Sequence, residues 1–497
     1  MGIPLDAYNR LTRKPRGEFF DLELPVDSGV LPDTLKGVLF RNGPGSLESY
    51  GVPYEHLFDG DGYIQRFEFD GTSVRYTAKF VRTPELQREW QAERPLYRSF
   101  GTNLPGGMRA NALRFHFKNA ANTNLLPIGS ELLALWEGGS PYRVDAATLD
   151  TLAGQWTNGG MLSPRGLVER LMGVGLPFSA HPKHLVDRHE IINFGLLPGL
   201  RQKLLLHRLP ATEHGAIAGD SSERLGQLTE LILPKLTFIH DFVALKDGRR
   251  VMFDVPVAFH LVPAFLGLSS PAAGIREDRS KPTVIRIIDD RQPDASPTQQ
   301  TVETEALYVF HFPNGFVRDD GTIVVDACVM DHFPSAADIR GLLHGVKPAH
   351  PFSALLTRFE IDPESGSVSR RTVSDLPMEL PTVNPAYRNR DYRYVWGMAD
   401  PPGRSETGAL HGIAKFDVQT GQDVFVDFFP GFPGEPLFVP KEHGGNASED
   451  EGWILVLVVD TIEEAGRIHV LDAQTMEETA RLRLPQAVHV GFHGLWR

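Results

Sequence analysis

Four histidines lie far apart in this chain, and each sits in a short context that borders a strand-like run. They are His181 in Ser-Ala-His-Pro-Lys, His240 in Phe-Ile-His-Asp-Phe, His311 in Val-Phe-His-Phe-Pro-Asn-Gly and His493 in Gly-Phe-His-Gly-Leu-Trp. The intervals are 240−181 = 59, 311−240 = 71 and 493−311 = 182 residues. No single helix or hairpin spans such separations. A fold that unites these side chains must bring remote segments to a common axis. Three of the contexts also continue alike. After His240 the chain turns through Lys246-Asp-Gly-Arg249 into Arg250-Val-Met-Phe-Asp254; after His311 it turns through Asp319-Asp-Gly321 into Thr322-Ile-Val-Val-Asp326. After His181 a polar stretch leads into Ile191-Ile-Asn-Phe194. Each of the three therefore opens a hairpin at a similar place.

The remaining sequence reads as all-β. Helical signals are few, and most apolar runs are short, alternating and bounded by Gly, Asp, Asn or Pro. A strand that ends in Asp before a turn recurs at Asp70, Asp145, Asp362, Asp417 and Asp472, and the last three are evenly spaced, 417−362 = 55 and 472−417 = 55. Antiparallel repeats of this size suggest propeller blades, with insertions accounting for the longer early spacing. In a propeller the inner strand of each blade lines the axis, so equivalent positions on different blades point at one centre. The polar, Pro/Asp/Gln-rich region Arg276–Thr301 reads as a long loop between blades. No interdomain linker is evident, so residues 1–497 read as one domain. Two apolar segments interrupt the strand pattern, Gly166–Phe178 and His260–Leu268. Both are too short for a bilayer, and their clustered Leu, Met, Val and Phe suit peripheral contact with one leaflet.

Charge and composition narrow the function. A net charge of −13 argues against nucleic acid, whose phosphates require a basic surface. One cysteine, Cys328, excludes an intrachain disulfide and points to a reducing compartment. The first residues have neither the basic region nor the apolar core of a signal peptide, so a cytoplasmic location is expected. Phe58-Asp-Gly-Asp-Gly62 lacks the later acidic ligands of a calcium loop and reads as a tight turn.

Neutral imidazole suits zinc, copper, iron and nickel. Four imidazoles leave a divalent ion its full charge. They close a tetrahedral zinc site, whereas six-coordinate iron(II) would keep two positions for dioxygen or substrate. Ligating imidazoles usually donate their other N–H to a carboxylate or carbonyl. Glu137 in Leu-Trp-Glu-Gly-Gly, Glu379 in Met-Glu-Leu-Pro and Glu435 in Gly-Glu-Pro-Leu-Phe have apolar or Gly-rich surroundings suited to that task. Bulky apolar side chains adjoin these positions: Trp136, Phe238 and Phe310. Two function classes fit, an iron(II) dioxygenase and a ligand-binding propeller with a structural metal. The complete set of four His and three Glu favours the enzyme.

Many ordered segments together resemble the carotenoid cleavage oxygenase family, nearly from end to end. They include Phe40-Arg-Asn-Gly-Pro-Gly45, Phe58-Asp-Gly-Asp-Gly62, Asn119-Ala-Ala-Asn-Thr123, Leu135-Trp-Glu-Gly-Gly139, Ala180-His-Pro-Lys183, Phe238-Ile-His-Asp-Phe242, Gly434-Glu-Pro-Leu-Phe-Val-Pro440, Glu449-Asp-Glu-Gly-Trp453 and Phe492-His-Gly494. The resemblance implies a seven-bladed β-propeller with a helical and loop dome over one end. It implies an axial Fe(II) held by His181, His240, His311 and His493, with Glu137, Glu379 and Glu435 behind the ligands. Thr123 matches a threonine that crowds the sixth position and leaves one site for dioxygen. Leu380 departs from the phenylalanine that many relatives carry after this glutamate, which bears on local packing and not on the metal. Within the family the chain looks most like bacterial apocarotenoid oxygenases, which cleave the central double bond of an apolar polyene to give retinal-type aldehydes. Stilbene-cleaving relatives usually carry lysine where this chain has Trp136.

Overall fold

Short alternating runs become antiparallel meanders in which consecutive strands are neighbours. The computed structural model describes residues 4–13, 16–114, 116–161, 175–199, 201–292, 295–350, 352–404, 408–441 and 447–497. One four-stranded sheet holds Asn124–Ile128, Glu131–Leu135, Tyr142–Asp145 and Thr151–Gln155. A second holds Lys183–Leu185, Glu190–Leu197, Lys203–Pro210 and Gln227–Ile232. A third holds Val243–Ala244, Arg250–Asp254, Thr283–Asp289 and Thr298–Thr304. An eight-stranded sheet runs from Tyr308–Val309 to Asp423–Asp427 and includes the 15-residue strand Val368–Thr382, whose register shifts between Glu379 and Thr382. The remaining two large sheets join the ends of the chain. Gly494–Trp496 pairs with Lys36–Pro44, and Val26–Gly29 pairs with Glu478–Arg483.

The recurring aspartates have a common job. Asp70, Asp145, Asp362, Asp417 and Asp472 each accept the backbone N–H groups two and three residues on with one carboxylate oxygen. That local bond fixes the turn between two strands of a sheet. The core lies between neighbouring sheets: Leu126, Leu133, Ile191 and Leu205, from two sheets, share one buried cluster. Fully burying such a side chain contributes about 1.5–3 kcal/mol.

Helices are few and short, the longest described being Pro4–Arg13, and no described helix is long and apolar enough to cross a membrane. Two expectations need correcting. The region Arg276–Thr301 is not one loop: Thr283–Asp289 and the start of Thr298–Thr304 lie in it as paired strands. The outer strand is exposed on both faces along most of its length, so it carries no alternating apolar signal. In the segment Gly166–Phe178, residues 166–174 lie outside the described residues, and Leu176 and Phe178 are wholly buried beside Trp156, so that end faces the core instead of a leaflet.

Candidate metal centre

All four histidines occupy the same structural position. His181, His240, His311 and His493 stand one to three residues ahead of Lys183–Leu185, Val243–Ala244, Asn314–Val317 and Gly494–Trp496, each a strand with a single sheet neighbour. The four edge strands deliver the rings to one point. One ligand atom from each residue lies within 4.8 Å of all the others. The His181 ring centroid is 4.5 Å from that of His240, 4.6 Å from His493 and 5.2 Å from His311. His181, His240 and His493 are buried, and His311 is nearly so.

A carboxylate holds the outward nitrogen of three rings. Nδ1 of His240 is 2.5 Å from Glu137 Oε1, Nδ1 of His311 is 2.5 Å from Glu379 Oε2, and Nδ1 of His493 is 2.8 Å from Glu435 Oε1. At His311 and His493 the hydrogen bond fixes the proton on Nδ1, so Nε2 keeps its lone pair for the centre, whereas Glu137 lies in ion-pair range of His240 without hydrogen-bonding to it. The inward atoms fit a cation. Nε2 of His311 is buried with no hydrogen-bond partner among the described residues, and the Nε2 atoms of His181 and His240 face each other at 3.0 Å. Burying such atoms unpaired is costly, and a divalent ion coordinated by four neutral nitrogens removes that cost. Burial, reinforced by the other three histidines and Lys183, holds His181 well below the ordinary imidazole range. Burial also lowers His493 against the pull of Glu435. At His311 burial acts the same way, but Glu379 outweighs it and the pKa is raised.

Of the three aromatic residues expected beside the site, two come together. Phe238 and Phe310 meet at 5.8 Å between centroids, and Phe310 lies 5.2 Å from the His240 ring. Phe333 completes this wall, 5.2 Å from Phe238 and stacked on Phe310 at 6.1 Å. Trp136 makes no ring contact with them among the described residues and packs instead over Gly138, where an added Cβ would meet the indole at 2.6 Å. Thr123 is tied to the centre through its backbone, accepting the His493 N–H at 3.2 Å, while its hydroxyl donates to Asn122 Oδ1. A separate cavity of about 1290 Å³ reaches the centre from another side, lined there by His181, Asp241, His311, Glu435 and His493; none of Trp136, Phe238 or Phe310 borders it.

Sequence reasoning also passed over two cations. Buried Arg41 donates to Glu435 Oε2 at 2.8 Å, to the Glu435 carbonyl at 3.1 Å and to the Val490 carbonyl at 3.1 Å. Lys183 lies 2.7 Å from Asp241 Oδ1. Both stand inside segments already quoted for other reasons, Phe40-Arg-Asn-Gly-Pro-Gly45 and Ala180-His-Pro-Lys183. That company is the one signal that points to them.

Comparison with known proteins agrees with this geometry. The family described as retinal pigment epithelial membrane protein matches residues 13–497. The chain is 32% identical to apocarotenoid-15,15'-oxygenase of Synechocystis over 441 residues, 86% of this chain and 83% of that protein. It is 26% identical to carotenoid isomerooxygenase of Galleria mellonella over 455 residues, 87% of this chain and 84% of that protein. Among solved structures, cobalt-substituted Synechocystis ACO superposes with a TM-score of 0.85 at 30% identity, covering 99% of this chain and 98% of the other.

Proposed function

This chain belongs to the family of the retinal pigment epithelial membrane protein and the carotenoid cleavage oxygenases, and we propose that it splits a conjugated C=C bond of an apocarotenoid or related carotenoid into two carbonyl products such as retinal. The observation that carries this reading is the convergence of four histidines, three of them held by glutamates, beside an aromatic wall. The proposed metal is iron(II), with dioxygen as co-substrate. Both oxygen atoms then enter the products, one on each carbon of the broken double bond, and no external reductant is needed. When bound, the ion supplies a site at which dioxygen is activated.

The chain's own residues do the rest. His181, His240, His311 and His493 hold the ion, and Glu137, Glu379 and Glu435 fix their rings. Phe238, Phe310 and Phe333 give an apolar polyene a flat, dry surface, as ligand pockets generally do. In the proposed scheme Thr123 crowds one side of the centre and Trp136 borders the substrate path. A seven-bladed propeller spanning residues 1–497 is the architecture the sheets support. In that reading five of the six large sheets are counted as one blade each and the eight-stranded sheet as two, divided at the long strand Val368–Thr382.

Substrate of this kind partitions into membranes, and one surface suits its collection. Met108, Leu113, Val262, Leu266 and Leu268 are exposed, and the Leu113 N–H donates to the Phe265 carbonyl at 3.1 Å, which joins the two segments. The paired strands Val257–Phe259 and Ile275–Glu277 flank the segment that carries Val262, Leu266 and Leu268, and they reach the aromatic wall, because Glu277 accepts the Phe333 N–H. In the proposed scheme the enzyme is cytoplasmic and meets a membrane peripherally at this surface, through apolar contact that salt hardly weakens.

Metal analysis and product chromatography on a panel of carotenoids, apocarotenals and hydroxystilbenes test the reading. The expected result is about one iron per chain, oxygen uptake and aldehyde products from an apocarotenal. His240→Ala is expected to fold, hold little iron and yield no product. Full iron occupancy and turnover in that variant would exclude the site.

A further inference from the structure

His181 is set apart from the other three ligands. Among the described residues no glutamate reaches its Nδ1. Asp241 Oδ1 lies 3.8 Å from it, and that oxygen is shared with the Lys183 ammonium at 2.7 Å. Asp241 is buried and occupied on every side. Oδ1 also accepts the Phe242 N–H at 2.7 Å, and Oδ2 accepts the Phe312 N–H at 3.1 Å. These contacts connect three ligand-bearing segments. Asp241 follows His240 in the chain, faces His181 in space, and holds the amide next to His311.

We propose that the Asp241–Lys183 ion pair is the positioning element for His181 and sets the charge felt at the metal. The inference rests on the iron reading above. Glu137, Glu379, Glu435 and Asp241 bring four negative charges, Arg41 and Lys183 bring two positive ones, and a divalent ion brings the sum to zero. Inside a protein, where water screens little, one uncompensated charge a few ångströms from the metal weighs heavily. Removing Lys183 leaves the centre one charge too negative and favours the trivalent ion. Removing the Asp241 charge does the reverse, and it also unties the three segments.

The test uses the full-length protein loaded anaerobically with ferrous iron. Stripping by an excess of chelator is followed first. The ferric signal is then followed by electron paramagnetic resonance in air, where each ferrous ion gives one electron to dioxygen and superoxide leaves. Asp241→Asn is expected to release iron about tenfold faster, the lower end of the usual effect of such outer partners, and to accumulate ferric ion more slowly than wild type. Lys183→Met is expected to accumulate ferric ion severalfold faster. Asp254→Asn, which breaks a buried pair with Arg286 at 2.8 Å, controls for simple destabilisation and is expected to match wild type in both assays. A residue that merely props up the fold would move both variants in the same direction. Wild-type values in both variants, or ferric accumulation changed in the same direction by both, overturn the proposal. If Asp241→Asn fails to fold, the Lys183→Met result alone decides, and an unchanged or slower ferric signal there is fatal. A wild-type protein that takes up no iron sinks the function reading itself and this inference with it.

Discussion

Glu379 shows how much one side chain is asked to do. Its Oε2 accepts hydrogen bonds from His311 Nδ1–H at 2.5 Å and the Leu380 N–H at 2.7 Å, while Oε1 is buried with no partner among the described residues. The residue that follows is bent to permit this. Leu380 has φ of 48°, a left-handed conformation that costs an L-residue about 1–2 kcal/mol. Glu379→Gln keeps one acceptor but removes the charge, so turnover and iron retention are expected to fall about 10–100-fold without vanishing. Iron loss as complete as in His311→Ala would mean that Glu379 is itself a ligand. The three glutamates were readable because ligating imidazoles need carboxylate partners and each glutamate sits in apolar or Gly-rich surroundings. The roles of Arg41 and Asp241 were not, although both stand in distinctive segments. The Arg41–Glu435 bond spans 394 residues, and a charged side chain in a local motif does not announce a partner that far away.

Elements place these side chains by close backbone approach. The Lys36–Pro44 strand runs beside the loop that carries His493, and their main chains exchange Asn42 N–H to His493 O at 2.9 Å and Phe492 N–H to Asn42 O at 2.9 Å. Gly43 is one of the tightest points, since a Cβ there would lie 2.3 Å from the Gly491 Cα. Backbone cannot yield as a side chain does, so Gly43→Ala is expected to push the His493 loop outward. A loss of about 1–3 kcal/mol in urea unfolding, the usual range for overpacking, should come with weaker iron retention; a stability loss with unchanged retention would show that the loop moves as a rigid unit. The strand character of the chain was evident in its alternation, and the turn aspartates marked five hairpins correctly. The missed strand Thr298–Thr304 shows the limit of that signal. Alternation is written only where one face is buried, and an outer strand open on both faces has no reason to display it.

For the molecule as a whole, burial of histidine sets the response to acid. His56, His207 and His489 are buried, and burial pushes each pKa down to about 3. Such a group stays neutral when folded and takes up a proton only on unfolding. The stability it contributes is complete above the ordinary value near 6.5 and is lost as pH falls toward 3, by about 2 kcal/mol per residue at pH 5 as an upper bound. Asp59 works in the opposite direction. Burial raises its pKa to about 7, so between the ordinary carboxylate value and 7 it favours the folded state more as pH falls. The histidines outnumber it, and urea midpoints should drop between pH 6.5 and 4. His56→Asn keeps an acceptor for the Phe58 N–H and should flatten that slope; a slope identical to wild type would remove His56 from the account. The topology also dictates an order of events while the chain is made. The third ligand is made 493−311 = 182 residues before the fourth, and the strand after the fourth must then find a partner made more than 450 residues earlier. A growing chain therefore passes through a long interval with three imidazoles and an open position, a donor set that suits zinc. The fourth imidazole joins the set only when that late strand zips into place.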